Sequence, residues 1–286
     1  MNTAARLSLY GAGLAVVFAA ALGAGSAVGP APSAAGQEAT GQKTTGHTTE
    51  AAHEAHTPGG LQVSENGYTF TRIATDDPDD FRFEITDPDG DPVTAYDVEH
   101  DKKLHLIVAS RDLTAFHHLH PELADDGTWH TRLPLKEPGP YRAFADFKPT
   151  GAGKLTLGLD LQVPGDYRPQ QLPHASTEAR TGDYTVTLDG ALEPGRSSRL
   201  TLKVGKDGEP VTDLEPYLGA YGHLVALRAG DLAYLHVHPE ETGAGPEITF
   251  SAEVPSGGAY RLFLDFKHDG EVRTAAFTAE TAPHGH

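Results

Sequence analysis

The chain is written twice. Residues from about Tyr68 to Val163 lie on residues from about Tyr184 to Thr278, and the register drifts by only about one residue along the way. Pro92-Val93-Thr94 falls on Pro210-Val211-Thr212. His105-Leu106-Ile107-Val108 falls on His223-Leu224-Val225-Ala226. His118-Leu119-His120-Pro121-Glu122 falls on His236-Val237-His238-Pro239-Glu240. Tyr141 to Lys148 falls on Tyr260 to Lys267. With 286 residues the chain has room for two ordinary domains, each with its own core.

Each copy reads as short strands at intervals of about eight to twelve residues. In the first copy they are Tyr68–Ile73, Phe81–Ile85, Leu104–Ala109, Phe116–Leu119, Trp129–Leu133, Tyr141–Phe147 and Leu155–Val163. Turn residues separate them, as in Asp87-Pro88-Asp89-Gly90-Asp91-Pro92 and Lys206-Asp207-Gly208-Glu209-Pro210. No stretch holds a long helical apolar period. The expected fold is all-β: two tandem immunoglobulin-like β-sandwich domains, at 61–164 and 183–280, joined by a linker at 165–182.

Residues 1–35 carry Arg6 and then an apolar run from Leu7 to about Val28, followed by small residues. This is the layout of a secretory signal peptide, with an uncleaved membrane anchor as the alternative. Residues 36–60 are polar and hold His47, His53 and His56, as a flexible spacer would. A short tail, 281–286, closes the chain. The folded part is expected to be secreted or held in the cell envelope. It would touch a membrane only through an uncleaved N-terminus.

Charge and ligand chemistry narrow the function. The formal net charge is -18, so nucleic acid is excluded as a partner. There is no cysteine, and the only methionine is Met1, so soft sulfur sites are excluded. Sixteen histidines and many carboxylates suit Cu(II), Zn(II) or a similar ion.

Alternate residues of a strand share a face, so His118 pairs with His120, and His236 with His238. If Gly230-Asp231 is a two-residue hairpin loop, Val225 faces His236 and His223 faces His238. The same count brings His105 opposite His120. Asp146 and Asp265, each between aromatics, are the fourth candidates, either as ligands or as acceptors for an imidazole N–H. Glu122 and Glu240 are weaker candidates. One histidine on a strand is ordinary, but three His and one Asp recur in both copies while their neighbours change. The expectation is about one Cu(II) or Zn(II) per repeat, held by His105, His118, His120 and Asp146 and by His223, His236, His238 and Asp265. His100, His117, His130 and His268 have no histidine counterpart and read as surface or packing residues. Tyr141-Arg142 and Tyr260-Arg261 read as core tyrosine beside solvated arginine.

In outline the chain resembles the exported Ig-like domains of bacterial copper handling, the CopC and YtkA-like types. The resemblance runs through the leader-like segment, the seven-strand pattern and His105, His118, His120, Asp146 and their counterparts. It implies a β-sandwich that binds Cu(II) outside the cytoplasm, with another envelope metal-handling protein as a possible partner. The chain departs from the CopC type in its tandem copy and in lacking methionine-rich loops. Two other functions stay open: a structural or interaction protein of the envelope, and a metal-dependent enzyme. No nucleophile elbow, phosphate loop or His-Glu-x-x-His motif is present.

Overall fold

The structure, a computed structural model, describes residues 57–240 and 242–281. The leader or anchor, the spacer through residue 56 and the tail beyond 281 lie outside the described residues. In the first repeat the strands are β1 (Ser64–Glu65), β2 (Tyr68–Ile73), β3 (Asp80–Thr86), β4 (Leu104–Ser110), β5 (Phe116–Leu119), β6 (Glu122–Leu123), β7 (Trp129–Arg132), β8 (Gly139–Phe147) and β9 (Leu155–Val163). The second repeat has β10 (Glu178–Thr181), β11 (Tyr184–Asp189), β12 (Arg196–Lys206), β13 (Glu209–Pro210), β14 (His223–Arg228), β15 (Val237–Pro239), β16 (Glu247–Val254), β17 (Ala259–His268) and β18 (Glu271–Glu280). Strand β10 begins inside the stretch expected to be linker. It is the edge strand of its sheet, paired with β11.

The first repeat is a sandwich of sheet β1-β2-β3-β7-β6 on sheet β5-β4-β8-β9. The second places β10-β11-β12-β16-β15 on β14-β17-β18, with β13 beside β12. Alternation fills each core. Phe70, Phe83, Leu106, Trp129, Ala145 and Phe147 meet in the first. Val186, Leu202, Leu224, Phe250, Leu262 and Phe266 meet in the second. Tyr141 Oη donates to Glu137 O at 3.0 Å and Tyr260 Oη to Ser256 O at 2.8 Å, the tyrosine corner typical of Ig-like sandwiches.

One sheet of each repeat is also covered on its outer face. Every residue of β4 is buried. Leu104, Leu106 and Val108 enter the repeat's own core, so His105, Ile107 and Ala109 point the other way. They meet Val225, Leu227 and Phe263 of the second repeat, together with Phe144 and Tyr234. Phe116 and Phe263 stack across this seam with ring centroids 4.0 Å apart. The two sandwiches are thus joined by a third apolar core.

A strap reinforces the seam. Gly60 N donates to Thr156 O (2.7 Å) and Gly158 N to Gln62 O (2.8 Å), which lays residues 59–62 along β9. Tyr234 N of the second repeat donates to Gly59 O (3.0 Å). Arg142 is therefore not solvated as the sequence suggested. It donates to Gly60 O (2.8 Å) and Leu61 O (3.0 Å) and pairs with Asp160. Arg261 is half-buried, and its Nε has no hydrogen-bond partner. A Cβ on Gly158 would lie 1.9 Å from Gly60 O. Gly158→Ala is therefore expected to lift the strap and cost about 1–3 kcal/mol. Denaturant unfolding would measure the loss, and faster proteolysis near residue 60 would locate it.

Candidate metal centre

The histidines sit at one end of the seam. Strand β4 places His105 opposite Asp146 of β8, and β14 places His223 opposite Asp265 of β17. Strand β5 pairs with β4 through Ile107↔His118 and Leu106↔Leu119, so the register derived for the first hairpin holds. The loop has four residues rather than two, since Ser110 N bonds to Ala115 O, but the count across it is the same. His118 and His120 follow β5 into the seam.

His105, His118 and His120 form a compact triad. One donor nitrogen from each lies within 4.8 Å of the others. His105 Nε2 is 3.1 Å from Glu99 O. A carbonyl only accepts, so Nε2 carries the proton and Nδ1 presents a lone pair. His118 Nδ1 is 2.7 Å from Asp265 Oδ2, a carboxylate of the other repeat. That bond places a proton on Nδ1 and turns Nε2 inward. His105 Nδ1 and His118 Nε2 then face each other at 3.2 Å. Two lone pairs cannot meet at that distance without a proton or a cation between them. Two imidazole nitrogens bound to one ion at about 2.0–2.1 Å stand about 2.9 Å apart at a right angle and about 3.4 Å at a tetrahedral one. The observed spacing falls between these values. His120 Nε2 and His223 Nδ1 are shut off from solvent and have no hydrogen-bond partner. Such orphaned nitrogens are costly unless something binds them. The His223 ring lies 4.7 Å from that of His118 and stacks on His105 at 5.2 Å.

The second copy does not repeat this arrangement. The bridge Leu227↔Tyr234 confirms the expected register near the loop, which here too has four residues. Beyond it the chain leaves β14. Strand β15 pairs with β16, through Val237↔Ala252 and His238↔Ser251. His238 is therefore exposed beside Ser251, not opposite His223 as expected. Glu240 N donates to Thr249 O at 2.8 Å, and Glu253 N donates to His236 O at 3.0 Å, which extends the pairing with β16 back to His236. In the first repeat the position of Glu253 is Pro134, which has no N–H to give. Asp265 takes the acceptor role expected of it, but for a histidine of the other repeat, and Asp146 has other partners. Asp265 serves His118 across the seam, while Asp146 accepts from Thr156 Oγ1 (3.0 Å) and faces Lys154 Nζ (3.2 Å). Two like sites, one per repeat, are thus not built. Residues of both repeats gather in one seam.

The family model described as "Domain of unknown function (DUF8832)" matches residues 59–165 and again 178–283. The chain belongs to this family. It carries two DUF8832 repeats, and the match shows no copper-handling family. No curated protein matches in sequence. Solved structures are matched only remotely. A chimeric titin Z1Z2-Z1Z2 tandem is 10% identical over 75% of this chain and 92% of its own, with a TM-score of 0.20. The adhesin InvE of Yersinia pseudotuberculosis is 13% identical over 76% of this chain and 60% of its own, with a TM-score of 0.22. The chicken CNTN1 FN1-FN3 domains are 10% identical over 79% and 69%, with a TM-score of 0.20. TM-scores this low carry no weight for function.

Sequence reasoning set His100 aside because the other DUF8832 repeat has Leu218 there. Both residues occupy the left-handed region, with φ of 49° and 56°. His100-Asp101 and Leu218-Gly219 are the central pairs of matching tight turns. The turn carries His100 into the seam, with its ring 5.8 Å from that of His223. The left-handed turn that aims His100 is visible in the structure and not in the sequence. His268, also set aside, is a packing residue bonded to Tyr184 Oη (2.8 Å) and Asp213 (3.1 Å).

Burial, and next the neighbouring His118 ring, push His105 down to about 4 and His120 to about 3. His223 is held well below the ordinary value for the same reasons. These rings stay neutral, as ligands must, far below pH 7. The unfolded chain protonates them near 6.5 while the folded one resists, so the unfolded state binds more protons in that range. Stability is fully present above about pH 6.5 and falls as pH drops toward 4. The charged groups around the rings are Asp146, Asp265, Glu99, Lys102 and Lys154. Thermal unfolding of the metal-free protein at pH 7 and pH 5 is expected to show a loss of a few kcal/mol. His105→Gln with His120→Gln is expected to flatten that dependence.

Proposed function

We propose that this chain is an extracytoplasmic tandem Ig-like protein that holds a divalent transition ion, Cu(II) or Zn(II), in the seam between its repeats, for metal buffering or delivery. The observation that carries the reading is the 3.2 Å contact between His105 Nδ1 and His118 Nε2. Both nitrogens are left bare toward each other by the Glu99 and Asp265 bonds. His120 Nε2 supplies a third donor. Asp265 would fix the His118 tautomer and raise its basicity. His105 is 3% exposed and the His118 side chain 3%, which leaves little room for a substrate and speaks for a binding protein over an enzyme.

A second reading, a structural or interaction module of the envelope, is favoured by the apolar seam core and by the His118–Asp265 bond, which tie the repeats together with no ion needed. A proton between His105 and His118 would then satisfy the pair. The test is retention of Cu(II) or Zn(II) by the full chain through gel filtration against a competing chelator. About one ion per chain, and a higher melting temperature with it, supports the metal reading. Loss of all metal to a micromolar competitor leaves the structural module.

A further inference from the structure

The seam has a second polar pocket. His100, Asp146, Lys154, His223 and His236 line a cavity of about 10 Å³. That is about the room one water or one ion needs. His223, whose Nδ1 is one of the two unpartnered imidazole nitrogens, belongs to this lining.

The two aspartates differ. Asp265 Oδ1 accepts from Thr274 Oγ1 at 2.5 Å, and Asp146 Oδ1 accepts from Thr156 Oγ1 at 3.0 Å. On the other oxygen, Asp265 Oδ2 takes the His118 imidazole (2.7 Å), whereas Asp146 Oδ2 takes the Lys154 ammonium (3.2 Å). By the repeat that seat belongs to His236. Lys154 also reaches Glu99 Oε2 at 3.2 Å, so two carboxylates hold it. Its counterpart in the second repeat is Val272, an exposed residue with no charge to offer. One lysine therefore places a fixed positive charge in one pocket and not in the other.

We propose that the seam contains a latent second ion site, formed by His100, His223, His236 and Asp146, in which the Lys154 ammonium stands in for the ion. This rests on the reading of the seam as a metal site. Lysine suits the part: it is a compact point charge on a flexible stem, and it neutralises a buried carboxylate without the desolvation of a free dication. Burial opposes its charge, but Asp146 and Glu99 outweigh that and keep it protonated. The seam then holds one exchangeable ion although both repeats carry the donor pattern.

The test counts Cu(II) bound to the full chain in a chelating buffer. The unaltered chain is compared with Lys154→Met, with Lys154→Gln, which keeps a donor for Asp146, and with Lys154→Arg. Histidines outside the seam are common to all and cancel in the difference. The count is expected to rise from about one to about two in Lys154→Met and Lys154→Gln, and to stay at one in Lys154→Arg. Adding His236→Ala to Lys154→Gln is expected to return it to one. A count of one in folded Lys154→Gln overturns the proposal while leaving the first site intact. So does a count of two in the unaltered chain. No ion in any variant removes the metal reading itself.

Discussion

His118→Ala combined with His120→Ala is expected to abolish chelator-resistant Cu(II) binding, while His238→Ala leaves it unchanged. Removing two of the three triad nitrogens leaves His105 Nδ1 as the triad's one remaining donor. His238 lies on the β16 edge, away from the triad. Asp265→Asn is the finer probe. It keeps the shape but weakens the acceptor that orients His118 Nδ1–H. Loss of such an outer partner costs about 10- to 100-fold in metal affinity. At 100 times the dissociation constant, ligand binding stabilises a fold by about 2.7 kcal/mol, so the thermal shift reports on the same site. An unaltered shift in the His118→Ala/His120→Ala protein would place the metal elsewhere.

How much of this was legible depends on which face of a strand is asked about. Inward positions alternate plainly in β3, β11 and β12, so strands and fold class could be read from the sequence. In β4 the run Leu-His-Leu-Ile-Val-Ala-Ser is buried on both faces, and alternation vanishes. Such a run says that something covers the second face but not what. The covering element is the other repeat, and that turned expected separate sites into a shared seam. The hairpin count placed His105 beside His120 because the loops preserve register. It misplaced His238 because the pairing with β16, where Glu253 donates an N–H that Pro134 of the first repeat lacks, lies outside the hairpin that was counted. His100 was set aside for a related reason: comparing repeats finds what is shared, and His100 lies at a place where they differ.

The triad comes from the first repeat but leans on Asp265 and His223 of the second, and that leads to the other large effect. Val225 sits on β14 facing the first repeat, in the same cluster as Ile107, Phe144 and Phe263, and contributes nothing to its own sandwich core. Val225→Asp would put an unpaired carboxylate into that dry contact, at a cost of several kcal/mol. The repeats can escape the cost by separating, because each keeps its own core. The expected result is two unfolding transitions in place of one, with a larger radius of gyration by small-angle scattering. Phe263→Ala is the milder variant: it deletes the stack on Phe116 and is expected to cost about 3–5 kcal/mol without forcing separation. Separation removes Asp265 and His223 from the triad although every triad histidine remains. Metal affinity should therefore fall in Val225→Asp at least as far as in Asp265→Asn. If Val225→Asp undocks the repeats yet binds Cu(II) as before, the ion needs only the first repeat, and the seam serves cohesion alone.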